Sequence, residues 1–80
     1  MEAETGLIVR AIAGRDAGKF FVVLKKENDR LFIADGKSRK LSSPKQKNIK
    51  HVRATNNVIA LEHITDKMLR TVLKEYENTQ

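Results

Sequence analysis

Eighty residues carry sixteen Lys and Arg against ten Asp and Glu, a formal net charge of +6, and 40% of the residues are hydrophobic. That length suits one small domain, whose core buries only about 60% of the surface its unfolded chain exposes. With no cysteine in the chain, disulfides and thiolate metal sites are excluded, and the hydrophobic fraction is too high for a wholly disordered tail.

The N-terminus, Met1-Glu2-Ala3-Glu4, is acidic where a secretory signal is basic. The longest uninterrupted apolar run, Phe20 to Leu24, is far too short to cross a membrane. A soluble, cytoplasmic domain without membrane contact is expected. Three segments then read as strands, each short, rich in β-branched or aromatic residues and bounded by turn residues. They are Leu7 to Ala13, apolar except at Arg10, then Lys19 to Lys25, then Arg30 to Asp35. Both alternating faces of the second are apolar, which suits a strand curled into a small barrel with a covering element on its outer side. Gly14-Arg15-Asp16-Ala17-Gly18 joins the first pair, its glycines free to adopt positive φ, and Glu27-Asn28-Asp29 joins the second as a hairpin.

Past Asp35-Gly36 the pattern loosens. Pro44 has no amide to donate and Ser42-Ser43 favours turning, so 36–47 is expected to be a loop. Lys50 to Thr55 is expected to return as a fourth short strand, with His51 and Arg53 on one face, and Val58 to Leu61 is a weaker strand candidate. The period then changes. Met68, Leu69, Val72, Leu73 and Tyr76 form the stripe of an amphipathic helix over 65–77, with Thr65 as N-cap and Asp66 in the first turn. The stripe is expected to pack on the barrel; the alternative is a helix that docks a partner. Residues 78–80 are expected to fray.

The charge is concentrated. Lys37, Arg39, Lys40, Lys45, Lys47, Lys50 and Arg53 form a run with no acid among them, while 1–36 is neutral and 54–80 carries −1. Such a block repels itself unless a polyanion neutralises it, which points to phosphate. Its bland alternative is a solvated, mobile loop that keeps the protein soluble.

Other chemistry finds little support. Gly14 to Lys19 has three residues between its glycines where a Walker loop has four, Phe20 follows its lysine, and a strand follows rather than a helix. His51 and His63 stand twelve residues apart without a carboxylate at ligand spacing, a poor metal site. Ser38, Ser42 and Ser43 lack a base and an orienting partner. Asp16 and Asp35 occupy turn positions, where carboxylates bond backbone amides. No catalytic site, cofactor or metal is expected. The four aromatics, Phe20, Phe21, Phe32 and Tyr76, all fall at packing positions, which disfavours base stacking and polyproline recognition. Electrostatic recognition of folded RNA or duplex backbone remains.

The strand–loop–strand run from Gly6 through Gly14-Arg15-Asp16-Ala17-Gly18-Lys19 to Val23 resembles a KOW motif, shared by NusG-type transcription factors and several large-subunit ribosomal proteins. The continuation, Ile33-Ala34-Asp35-Gly36-Lys37-Ser38-Arg39-Lys40-Leu41 and Pro44-Lys45-Gln46-Lys47-Asn48-Ile49-Lys50-His51-Val52, resembles bacterial KOW-domain RNA-binding proteins. Those proteins are similar to the archaeal and eukaryotic ribosomal protein L fourteen-e family. The resemblance implies a mainly β fold, a small SH3-like barrel over 1–64 with its basic loop at 36–50 and one C-terminal α-helix. It implies binding to RNA, ribosomal RNA above all, by a ribosome-associated or translation-related factor. Arg15 and Lys19 would be phosphate contacts on an RNA-facing turn. Lys37, Arg39, Lys40, Lys45, Lys47, Asn48, Lys50, His51 and Arg53 would form the main RNA surface. Arg15 and Arg39 are the expected bidentate phosphate ligands; Asn48 either reaches a base edge or sugar or holds the turn before the fourth strand. The chain lacks the long basic extension of the ribosomal proteins, and the free protein is expected to be monomeric. The competing classes are a protein-interaction module, using the barrel edge or the helix, and a transcription-associated KOW factor.

Overall fold

A computed structural model describes residues 4–80. Five antiparallel strands form one sheet: β1 (Leu7–Ala11), β2 (Phe20–Glu27), β3 (Arg30–Ala34), β4 (Lys45–Asn48) and β5 (Val52–Val58), in the order β4-β3-β2-β1-β5. A single helix, α1 (Asp66–Asn78), follows. The expected mainly β fold with one C-terminal helix is present. The sheet does not close: β4 and β5 are its two edges and do not pair.

Those edges nevertheless converge. Only a 3-10 turn, Ile49–His51, separates β4 from β5 along the chain, so the sheet must curl until its two ends are within three residues of each other. The curl divides the apolar residues between two cores. Leu7, Val9, Ala11, Phe21, Val23, Leu31, Ile33 and Val52 pack on one another on the inner face, with Ile49 against them. Ile8, Val22 and Ala34 point outward and are covered by Leu69 and Leu73 of α1. Hence β2 is apolar on both faces, and α1 is the covering element that such a strand requires. A bulge in β2 between Val23 and Lys25 leaves Leu24 without a partner on β3 and bends the strand.

Turn chemistry follows the sequence. Gly14 and Gly18 both take positive φ in the β1–β2 loop, and Asn28, at φ 52, turns the β2–β3 hairpin, a conformation asparagine tolerates better than most residues. Thr65 caps α1, its hydroxyl accepting from the Met68 amide at 3.1 Å. The helix runs to Asn78, one residue into the expected frayed tail.

Two strand expectations require correction. Lys45–Asn48, expected to end a loop, is β4, and Lys50–His51, expected to open a strand, lies in the 3-10 turn. β4 contains no apolar side chain and so carries no strand signal, yet it pairs with β3 from Arg30↔Asn48 to Ile33↔Lys45. Pro44 immediately precedes it, a position at the start of an edge strand where no ladder amide is needed. The weak strand at Val58 to Leu61 ends at Val58. Ile59 and Leu61 instead leave the sheet and pack into the outer core.

Candidate nucleic-acid interface

The site is organised around the β1–β2 loop, residues 12–19. At its start the Ile12 amide donates to the His51 carbonyl at 2.9 Å, tying the loop to the 3-10 turn. At its centre two lysines from β4 reach it across the open side of the sheet. Lys45 and Lys47 oppose Ile33 and Leu31 in register, so both stand on the inner face. Lys47 Nζ donates to the Ala13 carbonyl at 2.9 Å, and Lys45 Nζ donates to Asp16 Oδ2 at 2.6 Å. These contacts latch the unpaired edge β4 to the loop, where a closed barrel would have a strand ladder.

Asp16 is buried, and its side chain is only 9% exposed. The Lys45 hydrogen bond holds its carboxyl below the ordinary 3.8 despite the opposing effect of burial, and the charges of Lys45, Lys19 and Arg39 add to the lowering. Lys19 stands 3.9 Å from Asp16 Oδ1 with its own side chain 58% exposed, a loose pair that leaves the amine accessible. Asp16 is thus more than the turn carboxylate its position suggests: it is the anionic partner of Lys45 and, more loosely, of Lys19. A depressed folded pKa stabilises the protein fully above the unfolded value, and that contribution disappears as pH falls through the lowered folded value. Asp16→Asn should therefore lower stability at neutral pH and flatten the acid limb of a urea-unfolding series as pH falls past the ordinary carboxylate value of 3.8. An unaltered acid limb would count against the latch.

The second half of the site is the segment from Asp35 to Leu41. Asp35 Oδ1 accepts from the amides of Lys37 and Arg39, at 2.9 and 2.8 Å, and Oδ2 from the Ser38 hydroxyl at 3.1 Å. This is the amide-binding role its turn position predicts. The turn is pinned to α1 at two points: Arg70 donates to the Gly36 carbonyl at 2.8 Å, and the Leu41 amide donates to Asp66 Oδ1 at 2.8 Å. Gly36, at φ +77, is needed here because a Cβ would collide with the Asp66 carbonyl. The 35–41 segment is thus a held scaffold rather than a free loop.

The expected contact residues separate into two groups. Arg15, Lys19, Lys37, Lys40, Lys50, His51 and Arg53 are exposed and Arg39 is half-buried. Among the described residues, Arg15, Lys37, Arg39, Lys40, Lys50 and Arg53 have no carboxylate at ion-pair distance. Lys45 and Lys47 belong to the latch, and Lys47 is buried. The Asn48 side-chain oxygen accepts from the Lys50 amide at 2.9 Å, so it holds the turn.

Three of the four aromatics pack as expected: Phe21 is buried, and Phe20 meets Tyr76 edge-on with ring centroids 5.2 Å apart, whereas Phe32 is half-buried, belongs to neither core and has the Lys25 amine 5.8 Å from its ring centroid. Sequence reasoning missed Arg10, whose guanidinium lies 5.9 Å from the Phe20 centroid; a lone charge in an apolar strand was its only signal. It also missed Arg70 and Lys74, which line a groove beside the Asp35 turn. Among the described residues no three His, Cys, Asp or Glu stand together as metal ligands, and no helix is long and apolar enough to cross a membrane. No protein-family model matches the chain, and no curated protein matches it.

Proposed function

We propose that this protein is a non-catalytic RNA-binding module, a small SH3-like barrel of KOW type that holds structured RNA by its backbone. Ribosomal RNA is the first candidate, and the setting would be a ribosome-associated or translation-related factor. The observation that carries the reading is the held cationic surface around the β1–β2 loop. Arg15 and Lys19 on that loop, Lys37, Arg39 and Lys40 on the pinned turn, and Lys50 and Arg53 beside the 3-10 turn have fixed backbone positions and little internal neutralisation. A phosphate backbone supplies the missing negative charge and releases counterions when it binds. Because the backbone is already ordered, binding does not have to order it.

The apolar stripe of α1 supports this reading over a docking helix. Leu69 and Leu73 are buried against the sheet, and only Met68 of the stripe is largely exposed. The test is a salt titration of binding to ribosomal RNA fragments, followed by crosslinking and sequencing of the bound RNA. Seven engaged cations give a log–log slope of roughly −5 to −6, at about 0.7–0.9 counterions per contact. A salt-independent affinity, or crosslinks spread evenly over cellular protein rather than RNA, would refute it.

A further inference from the structure

The cationic surface does not end at the Asp35 turn. Between that turn and α1 lies a groove of about 730 Å³ lined by Lys19 and Lys37 on one side and by Arg70 and Lys74 on the other. That is the size of clefts that hold drug-sized molecules, about 300–1,000 Å³. Two acids also line it, Asp35 and Glu77. Both oxygens of Asp35 already accept hydrogen bonds from its own turn, which leaves Glu77 as the one uncommitted carboxylate against four cations. Arg70 donates from one amino group to the Gly36 carbonyl; a guanidinium carries five N–H donors, so most of them remain for a ligand. Lys74 has no ion-pair partner among the described residues. Phe20 and Leu73 contribute apolar lining, and low-dielectric walls concentrate the field of the charges above them.

We infer that the RNA backbone continues from the β1–β2 loop into this groove, where Arg70 and Lys74 take up phosphates that the loop itself does not reach. The inference rests on the RNA-binding reading above. Lys19 and Lys37 belong to both surfaces, so a single strand of backbone passes from one to the other without leaving positive potential. The helix then has two jobs: its apolar face covers the sheet, and its flank extends the binding track.

The test compares the wild-type protein with Arg70→Gln/Lys74→Gln, Lys74→Glu and Arg70→Lys, using a fluorescein-labelled 20-base-pair RNA duplex and a salt titration. For the double variant, loss of two phosphate contacts should lower the slope magnitude by about 1.4–1.8 and the affinity roughly 25- to 60-fold near 0.1 M salt. Lys74 is exposed, so Lys74→Glu should weaken binding with its thermal melt unchanged, and it keeps the Arg70 bond to Gly36 that the double variant loses. Arg70→Lys keeps the charge and should keep the slope. If the wild type binds with steep salt dependence but the folded Lys74→Glu and double variants match it, the groove is not part of the interface. If the wild type itself does not bind, the RNA reading fails and the groove proposal with it.

Discussion

Converting Lys37, Lys40 and Lys50 together to glutamine should weaken binding to structured RNA by about a hundredfold or more near 0.1 M salt, with the fold intact. The size follows from counterion release: three phosphate contacts at about 0.7–0.9 ions each change the log–log slope by about 2.1–2.7. The intact fold follows from where the side chains are. All three are exposed, and none forms an ion pair among the described residues. The bonds that hold their segments use the amides of Lys37 and Lys50 rather than their amines, so glutamine preserves them. Fluorescence anisotropy over a salt series, paired with a thermal melt, reads both parts. A variant that melts like the wild type and binds RNA with unchanged slope removes the 37–53 segment from the interface.

The segment that carries these three lysines was only partly legible in the sequence. Periodicity revealed α1, whose buried stripe repeats at about 3.6, and local composition between turn residues revealed β1, β2 and β3. It even revealed that β2 needs a covering element, since a strand apolar on both faces cannot leave either in water. The strand Lys45-Gln46-Lys47-Asn48 was illegible for the converse reason. It is an edge strand whose inward positions are filled by lysine side chains, with their aliphatic stems along the sheet and their amines fixed on the β1–β2 loop. Read as sequence, Lys45 and Lys47 are indistinguishable from Lys37 and Lys40. Only the register with Ile33 and Leu31, which depends on pairing between residues 12 and 16 positions apart in the chain, turns them inward. The partner that makes this possible, Asp16, was visible as an acid in a turn, but its pairing with a residue 29 positions away was not. Arg70 and Lys74 were hidden by a similar ambiguity: charges on the polar face of an amphipathic helix normally face solvent alone, and the Asp35 turn that makes a groove with them is distant in sequence.

The Lys47 side chain therefore separates stability from binding more sharply than any other position in the basic segment. Lys47→Glu should cost about 3–5 kcal/mol, because it places a carboxylate where a buried amine now donates to the Ala13 carbonyl and offers that carbonyl nothing to accept. For 80 residues, at about 0.05–0.15 kcal/mol each, roughly 4–12 kcal/mol is the whole expected stability. The glutamate variant should thus be largely unfolded or close to it, and its failure to bind RNA would carry no information about contacts. Lys47→Met keeps the volume and apolar stem and loses one hydrogen bond, so its unfolding free energy should fall by only about 0.5–1.5 kcal/mol. Because the amine is used inside the protein, the methionine variant should bind RNA with the wild-type salt slope. A phosphate-contacting lysine would instead lower the slope by about 0.7–0.9. Urea midpoints for both variants and a salt titration for Lys47→Met distinguish the cases. A glutamate variant as stable as the wild type would deny the latch, and a methionine variant with full stability and a reduced slope would place this amine on the RNA.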